Sequence, residues 1–271
     1  MVMQYKDIAK ELGEFTERQV RAWINHNCDK KIRSFNDSYF NSISTPNQAY
    51  WLGFIYADGT VVCNAETRNY ELQIELNSID KYILEEFNQE LGGKHKIKDR
   101  MRTHFICNNK KPTTSSMSSL RVYSKRIVED LIKHNVIPNK TLHNNFPIVS
   151  NELFWDFLRG YFDGDGCLYV NYENPKTKST IHITSAHREV LDYLHNILES
   201  EYDIDSRIYQ ETERKYRIMI FTHENIMKFL NGIYYSDDIT KLNRKYEKYE
   251  ELALLCGDTE VINRAKSKEA Y

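Results

Sequence analysis

Two aspartates in this 271-residue chain are set in matching surroundings. Asp58 closes the run AYWLGFIYADG (49–59), and Asp165 closes LFWDFLRGYFDGDG (153–166). Each follows an apolar, helix-length run, each precedes a glycine, and they lie 107 residues apart. Gly53 and Gly160 hold equivalent places five residues earlier. A small residue lets two helix backbones approach closely, so Gly53 and Gly160 are read as helix-packing positions facing each other across a seam. Helices packed in that way would end together and bring Asp58 and Asp165 close. A helix C-terminus is partly negative and disfavours carboxylates, and two neighbouring carboxylates repel. A local cation relieves both penalties. Carboxylate oxygens with room for water and phosphate oxygens suit a hard divalent ion such as Mg²⁺ or Mn²⁺. One copy alone would read as a packing helix followed by an Asp-Gly turn. Two copies in corresponding places favour a site.

The elements that must position these residues repeat in the same order. An apolar helix ends at Ala57. TVVCN (60–64) and NYELQIELN (69–77) alternate as a hairpin, the second strand placing Tyr70, Leu72, Ile74 and Leu76 on one face. Asp80 is read as the cap of a helix with Ile83, Leu84, Phe87 and Leu91 inward, stopped by Gly92-Gly93. KHKIKDRMR (94–102), SLRVYS (119–124) and a helix from about 125 to 135 follow. After 153 come an apolar helix, CLYVNY, TIHITS, a helix over 187–199, strands near 204–211 and 215–222, and a helix over 224–233. Each half reads αββαββα, so the expected fold is α+β with two pseudo-symmetric halves. The halves are bounded at 48–145 and 146–250, with a linker at 34–47 and a tail at 251–271. Residues 1–33 read as two short helices about Gly13, the second capped by Thr16, which outlines a helix-turn-helix-like module or a plain helical hairpin.

The overall charge is near neutral, with 37 Lys/Arg against 39 Asp/Glu. Its distribution is not. Residues 94–140 carry twelve Lys/Arg and three Asp/Glu. Within them Lys94, Lys96, Lys98, Arg100 and Arg102 alternate, which places all five on one face of a strand; Arg121 belongs to the same basic block. Lysines also blunt solvated edge strands, but five in strict alternation favour a DNA-facing sheet. The second half offers Arg207, Lys215 and Arg217, with Lys178 and His182 on the adjoining hairpin. Glu71, Gln73 and Glu75 share the polar face of the first half's second strand. Gln suits adenine and Glu accepts from cytosine N4, although two glutamates also repel a phosphate backbone. Asn77-Ser78 and Thr184-Ser185, at the ends of equivalent strands, are candidates for supporting polar roles. The five cysteines are odd in number and form no CxxC pair, so neither a disulfide framework nor a structural zinc site is expected. No apolar run approaches the roughly 20 residues that cross a membrane, and MVMQYKDIAK lacks the apolar core of a signal peptide. A cytoplasmic location is expected.

WLGFIYADG (51–59) and LRGYFDGDG (158–166) resemble the paired signature of the LAGLIDADG homing endonucleases. The resemblance covers roughly 47–250. A chain with two motifs resembles the monomeric, pseudo-dimeric members, and the preceding helix pair resembles the extension of some phage and bacterial members. Trp51, Tyr56, Arg159 and Gly164 depart from the motif's letters, while its glycine and terminal Asp-Gly hold in both copies. The resemblance implies a saddle of antiparallel sheets on a long, pseudo-palindromic double-stranded target. It implies Asp58 and Asp165 as catalytic, metal-binding residues, with one cut per strand across the minor groove leaving short 3′ overhangs. It also implies a lysine near each centre, matched by Lys140 in IPNKT and Lys245 in LNRKYEKY, with Arg244 as a neighbour able to substitute. A monomer acting in a bacterial or phage-infected cell follows. Two other roles on the same scaffold are a non-cleaving DNA-binding regulator and an RNA maturase.

Overall fold

Thr45 starts the first motif helix, α1 (Pro46–Asp58). Its hydroxyl accepts from the Gln48 N–H at 3.3 Å, and the Gln48 side chain accepts from the Thr45 N–H at 3.1 Å. This reciprocal box satisfies donors that an α-helix leaves open, and Pro46 fits the first turn. The computed structural model describes residues 9–11, 13, 15–20, 35–104, 113–143, 146–258 and 261. Most of the expected N-terminal module lies outside the described residues. Within it, Gly13 has φ +63°, and the Thr16 hydroxyl accepts from the Gln19 N–H at 3.3 Å.

The first half continues as β1 (Gly59–Asn64), β2 (Asn69–Asn77), α2 (Lys81–Glu90), β3 (Ile97–His104), β4 (Thr113–Tyr123) and α3 (Lys125–Lys133). The second runs α4 (Phe154–Asp165), β5 (Gly166–Tyr169), β6 (Thr180–Ser185), α5 (Arg188–Tyr202), β7 (Arg207–Thr212), β8 (Lys215–Ile220) and α6 (His223–Ile233), followed by α7 (Asn243–Cys256). Both halves are therefore αββαββα, as the repeat predicted. Each half forms a four-stranded antiparallel sheet, ordered β1-β2-β4-β3 and β5-β6-β8-β7. Period two sorts each strand. Leu72, Ile74, Leu120 and Val122 are buried on one sheet, and Leu168, Ile181, Ile183, Ile218 and Ile220 on the other. The opposite face of each sheet carries the polar and charged residues.

Four boundaries differ from the sequence reading. Residues 35–45 are not a free linker: Tyr39 and Phe40 are buried, the Asn36 N–H donates to the Leu91 carbonyl at 2.8 Å, and Gln48 donates to the Tyr39 carbonyl at 2.7 Å. Scattered aromatics in a polar stretch carry that docking. The strand β3 begins at Ile97, so Lys94 and Lys96 precede the strand, and only Lys98, Arg100 and Arg102 alternate along it. The strand β4 begins at Thr113, six residues before the expected start. The charged helix α7 runs to Cys256 and buries Tyr246, Tyr249, Leu252 and Ala253, so it is part of the core beyond residue 250.

Candidate active site

The helices α1 and α4 cross where glycine removes the side chain. A Cβ on Gly53 would lie 2.0 Å from the Phe157 carbonyl oxygen, and one on Gly160 would lie 1.9 Å from that of Tyr50. Each glycine thus admits the other helix's backbone. One turn later, a Cβ on Gly164 would sit 2.2 Å from the Ala57 Cβ and 3.5 Å from the Asp58 carboxyl carbon. That contact explains a glycine at 164 opposite the alanine at 57, and it shows the two helices ending side by side. Asp58 and Asp165 emerge from those adjacent ends, each keeping solvent access at its tip.

Lys140 and Lys245 lie at the same helix ends. The Lys140 Nζ donates to the carbonyls of Ile55 (3.0 Å), Ala57 and Gly59 (2.9 Å). The Lys245 Nζ donates to Phe162 (2.6 Å), Asp163 (2.7 Å) and Gly166 (2.6 Å). Each ammonium therefore satisfies carbonyls that a helix terminus leaves open, and offsets the terminus's negative end. Both are closer to the backbone than a lysine poised over open water would be.

The charges are coupled. Burial, and then the Asp58 charge, pushes the Asp165 carboxyl up to about 6, against the lysines. Burial also holds Asp58 above the usual carboxylate range; Lys140, Lys245 and Arg244 pull it down, and Asp80 pushes it further up. Burial lowers Lys140 to about 8, opposed by Asp165 and Asp58. Lys245 is likewise lowered to about 8 by burial, opposed chiefly by Asp163.

Beside Asp165 lies a cavity of about 280 Å³, also lined by Lys140, His143, Thr184, Ser185, His187, Arg214 and Lys215. The sequence reading anticipated Asp165, Lys140, Lys215 and the Thr184-Ser185 pair here, and missed His143, His187 and Arg214. On the other side, Arg244 is not a spare lysine. Its Nε donates to the buried Asp80 carboxylate at 3.0 Å, joining the second half to the first. Asp80 does precede α2, but its side chain makes no capping bond. Asn77 and Ser78 have local partners: Asn77 accepts from the Ile79 N–H at 3.1 Å, and Ser78 bonds Ser118 at 2.9 Å.

Two charged residues of the second motif, Asp163 and the departing Arg159, build a buried polar network. Asp163 accepts from the Tyr50 hydroxyl (3.0 Å), the Tyr234 hydroxyl (2.8 Å) and the Leu242 N–H (2.7 Å). Fully buried Arg159 pairs with Asp156 at 2.8 Å and donates to the Thr240 carbonyl at 2.9 Å. Buried charges need such partners. Both residues fasten α4 to the segment that carries Lys245.

The exposed sheet faces are less uniformly basic than their sequences suggested. Glu75 meets Arg100 at 2.7 Å and Arg102 at 3.7 Å, and Glu71 meets Arg121 at 3.3 Å. In the second sheet Glu211 takes Lys215 at 2.8 Å and also Arg217. The glutamates on the polar faces are thus answered across the strands, and they hold arginine heads in place. Gln73 shares that face, opposite Arg121. His182 lies opposite Cys167 and Met219, Arg207 sits 4.7 Å over the Phe221 ring, and Lys178 lies on a short helical turn rather than a strand.

Among the described residues, no group of three or more His, Cys, Asp or Glu side chains converges on a metal position, and no helix is long and apolar enough to cross a membrane. Residues 155–234 match the family model described as a LAGLIDADG-like domain. The chain is 17% identical to the meganuclease I-SmaMI in a structure bound to uncleaveable DNA with a TTCT central four, with a TM-score of 0.52. That alignment covers 83% of this chain and 97% of the other. A second I-SmaMI structure, on uncleaveable DNA with a TTGT central four, gives 17% identity and a TM-score of 0.51 over 83% of this chain and 96% of the other. A probable translation initiation factor IF-2 of Methanocaldococcus jannaschii is 34% identical over 116 residues, 38% of this chain. The chain spans only 9% of that relative's length. Residues 155–234 are thus similar to a LAGLIDADG-like domain, and the two halves together have the LAGLIDADG fold.

Proposed function

We propose that this chain is a site-specific double-strand DNA endonuclease whose cutting depends on Mg²⁺ or Mn²⁺. The observation that carries the reading is the pairing of Asp58 and Asp165 at adjacent helix ends, one from each half, between two charged sheet faces. Two centres related by the pseudo-twofold suit two backbones of opposite direction. The fold shared with a meganuclease supports the same reading.

Asp58 and Asp165 would hold the divalent ion. They fit it: one carboxylate from each half stands at adjacent helix ends, and burial first of all makes both charged forms costly, a penalty that a cation would offset. Two protein oxygens also suit an ion that keeps waters and phosphate oxygens in its shell. When bound, such an ion polarises the phosphate and acidifies a water. The chain's own residues do the rest. Lys140 and Lys245 pin the helix ends that aim the aspartates, and their positive charge would offset charge developing on the nearby phosphates. The cut consumes one water per strand. Its oxygen bonds to phosphorus, one P–O ester bond breaks, and the departing sugar oxygen takes up a proton. Arg100, Arg121, Arg207 and Arg217 would contact the duplex, giving salt-dependent affinity and base readout. The target would be long and imperfectly symmetric, because the two faces differ in side chains, and one chain with two halves would act as a monomer.

The test is incubation of the purified chain with DNA from a related replicon lacking the gene, with Mg²⁺ and with chelator, followed by end mapping. Mg²⁺-dependent double-strand breaks at one site with 3′ overhangs support the reading. Specific retention of one fragment without breaks would favour a DNA-binding regulator. Preference for the host intron's RNA over the uninterrupted DNA would favour a maturase.

A further inference from the structure

The two sheets carry matching rows of side chains just outward of the paired aspartates, and the rows differ in kind. Thr60 and Cys167 each follow the glycine that closes a motif. Thr60 stands opposite Gln73, and Gln73 opposite Arg121. Cys167 stands opposite His182, His182 opposite Met219, and Met219 opposite Arg207. Directly opposed residues of antiparallel strands set their side chains next to one another on one face. The second row lies on the face away from the core: Cys167 is exposed between buried Gly166 and Leu168, and half-buried His182 and Met219 each lie between two buried isoleucines. Arg207, at the row's outer end, sits 4.7 Å over the Phe221 ring. Burial, and then Arg217, holds the His182 imidazole below its ordinary value, so it is neutral at pH 7. The first row is therefore built of hydrogen-bonding groups, and the second is centred on a thiol, a neutral imidazole and a thioether. Base edges in the major groove offer acceptors, donors and the C5-methyl of thymine. Gln73 and Arg121 suit the first two kinds, the amide with adenine and the guanidinium with guanine. Met219 suits the third. Its sulfur is a weak acceptor and no donor, so it gains little from polar base edges. Against a methyl, the flexible, polarisable side chain removes apolar surface from water.

We propose that Met219, flanked by Cys167 and His182, is a specificity-determining residue that selects a thymine under the second sheet through its C5-methyl group. The inference rests on the DNA-binding side of the endonuclease reading, and it names the chemical group that one row of the sheet recognises.

The test measures affinity by fluorescence anisotropy, with chelator present, for the duplex that the protein cuts or specifically retains. Each thymine is replaced in turn by deoxyuridine, which lacks only the methyl. One replacement in one half-site is expected to weaken binding about three- to fivefold, the size of one buried methyl. Met219→Ala should weaken binding to the thymine duplex and bind the deoxyuridine duplex equally well. Met219→Leu, which keeps an apolar tip, should retain most of the discrimination. Arg121→Ala should weaken binding and leave the deoxyuridine effect unchanged. Melting curves show that each variant is folded. If no replacement matters, or if the discrimination survives in Met219→Ala, the inference is overturned while the endonuclease reading stands. Methyl-dependent binding without any Mg²⁺-dependent break overturns the endonuclease reading and supports the inference. Absence of specific binding to any duplex overturns both.

Discussion

Lys140 and Lys245 stand in the same relation to the two motif helices: each drives its ammonium into the carbonyls that end one helix, at Ile55–Gly59 and at Phe162–Gly166. A positive charge at each negative helix end makes it possible to place a carboxylate there as well. The lysines are therefore part of how Asp58 and Asp165 are positioned. Lys245→Met should leave several carbonyls without donors and lower the melting temperature by roughly 5–10 °C, through a loss of about 2–3 kcal/mol. Thermal unfolding of the variant beside the wild type measures this.

The pH dependence has two limbs. Asp165 is raised to about 6, so it is protonated below that value and cannot serve as an anion. Lys140 and Lys245 are lowered to about 8, so they lose charge above it. Cutting at limiting metal should rise through pH about 6 and fall beyond about 8, and saturating metal should move the acid limb below 6. Stability has the opposite acid limb. A carboxyl whose folded value is raised binds its proton more tightly in the native state, so the stabilisation is complete below its unfolded value and is lost as pH rises through about 6. Solvent access at the Asp165 tip limits the effect to on the order of 1 kcal/mol. Asp165→Asn should accordingly melt slightly higher than the wild type at pH 7.5 without metal. An unchanged pH–stability curve in that variant would contradict the assignment.

The helix crossing tolerates no side chain at its glycines. A methyl at Gly160 would meet the Tyr50 carbonyl oxygen at 1.9 Å, and main chain cannot swing aside as a flexible side chain can. Gly160→Ala should cost about 3 kcal/mol. It should also separate Asp58 from Asp165, so cutting should fall further than binding. Parallel binding and cutting titrations distinguish this from simple loss of folded protein.

On the sheet face, Glu75 shares itself between Arg100 and Arg102. Glu75→Gln should free both heads for phosphates and steepen the dependence of log affinity on log salt by about 1–2 units, while relaxing site choice. Replacing Lys98, Arg100 and Arg102 together should flatten the same slope. Fluorescence anisotropy across a salt series reads both.

The repeat, the αββαββα order and the pairing of Asp58 with Asp165 were legible because they depend on local signals. Period two sorts Leu72 and Ile74 from Gln73 and Glu75, and glycine spacing marks the helix seam. What was not legible depends on which elements become neighbours. Glu75 and Arg100 lie on strands that flank β4 on opposite sides, so their ion pair follows from sheet order and not from spacing. Asp80 reads as a helix cap in sequence, and its true partner Arg244 comes from the other half. His143, His187 and Arg214 carry no motif at all. They matter through the cavity that five separate segments enclose beside Asp165. Arg159 looked like a departure from the motif, and Asp163, which keeps the motif's letter, had no assigned task. Their reason is a buried network with Tyr50, Tyr234, Asp156 and the 240–242 backbone.

The central claim is that Asp58 and Asp165 cut DNA and do not merely end two packing helices. The most direct measurement takes Asp58→Asn and Asp165→Asn protein to the mapped duplex and follows binding and double-strand cutting in the same Mg²⁺ reaction. The account predicts affinity within about threefold of wild type and double-strand cutting reduced by at least about a hundredfold in each variant. Full double-strand cutting by both variants would contradict it.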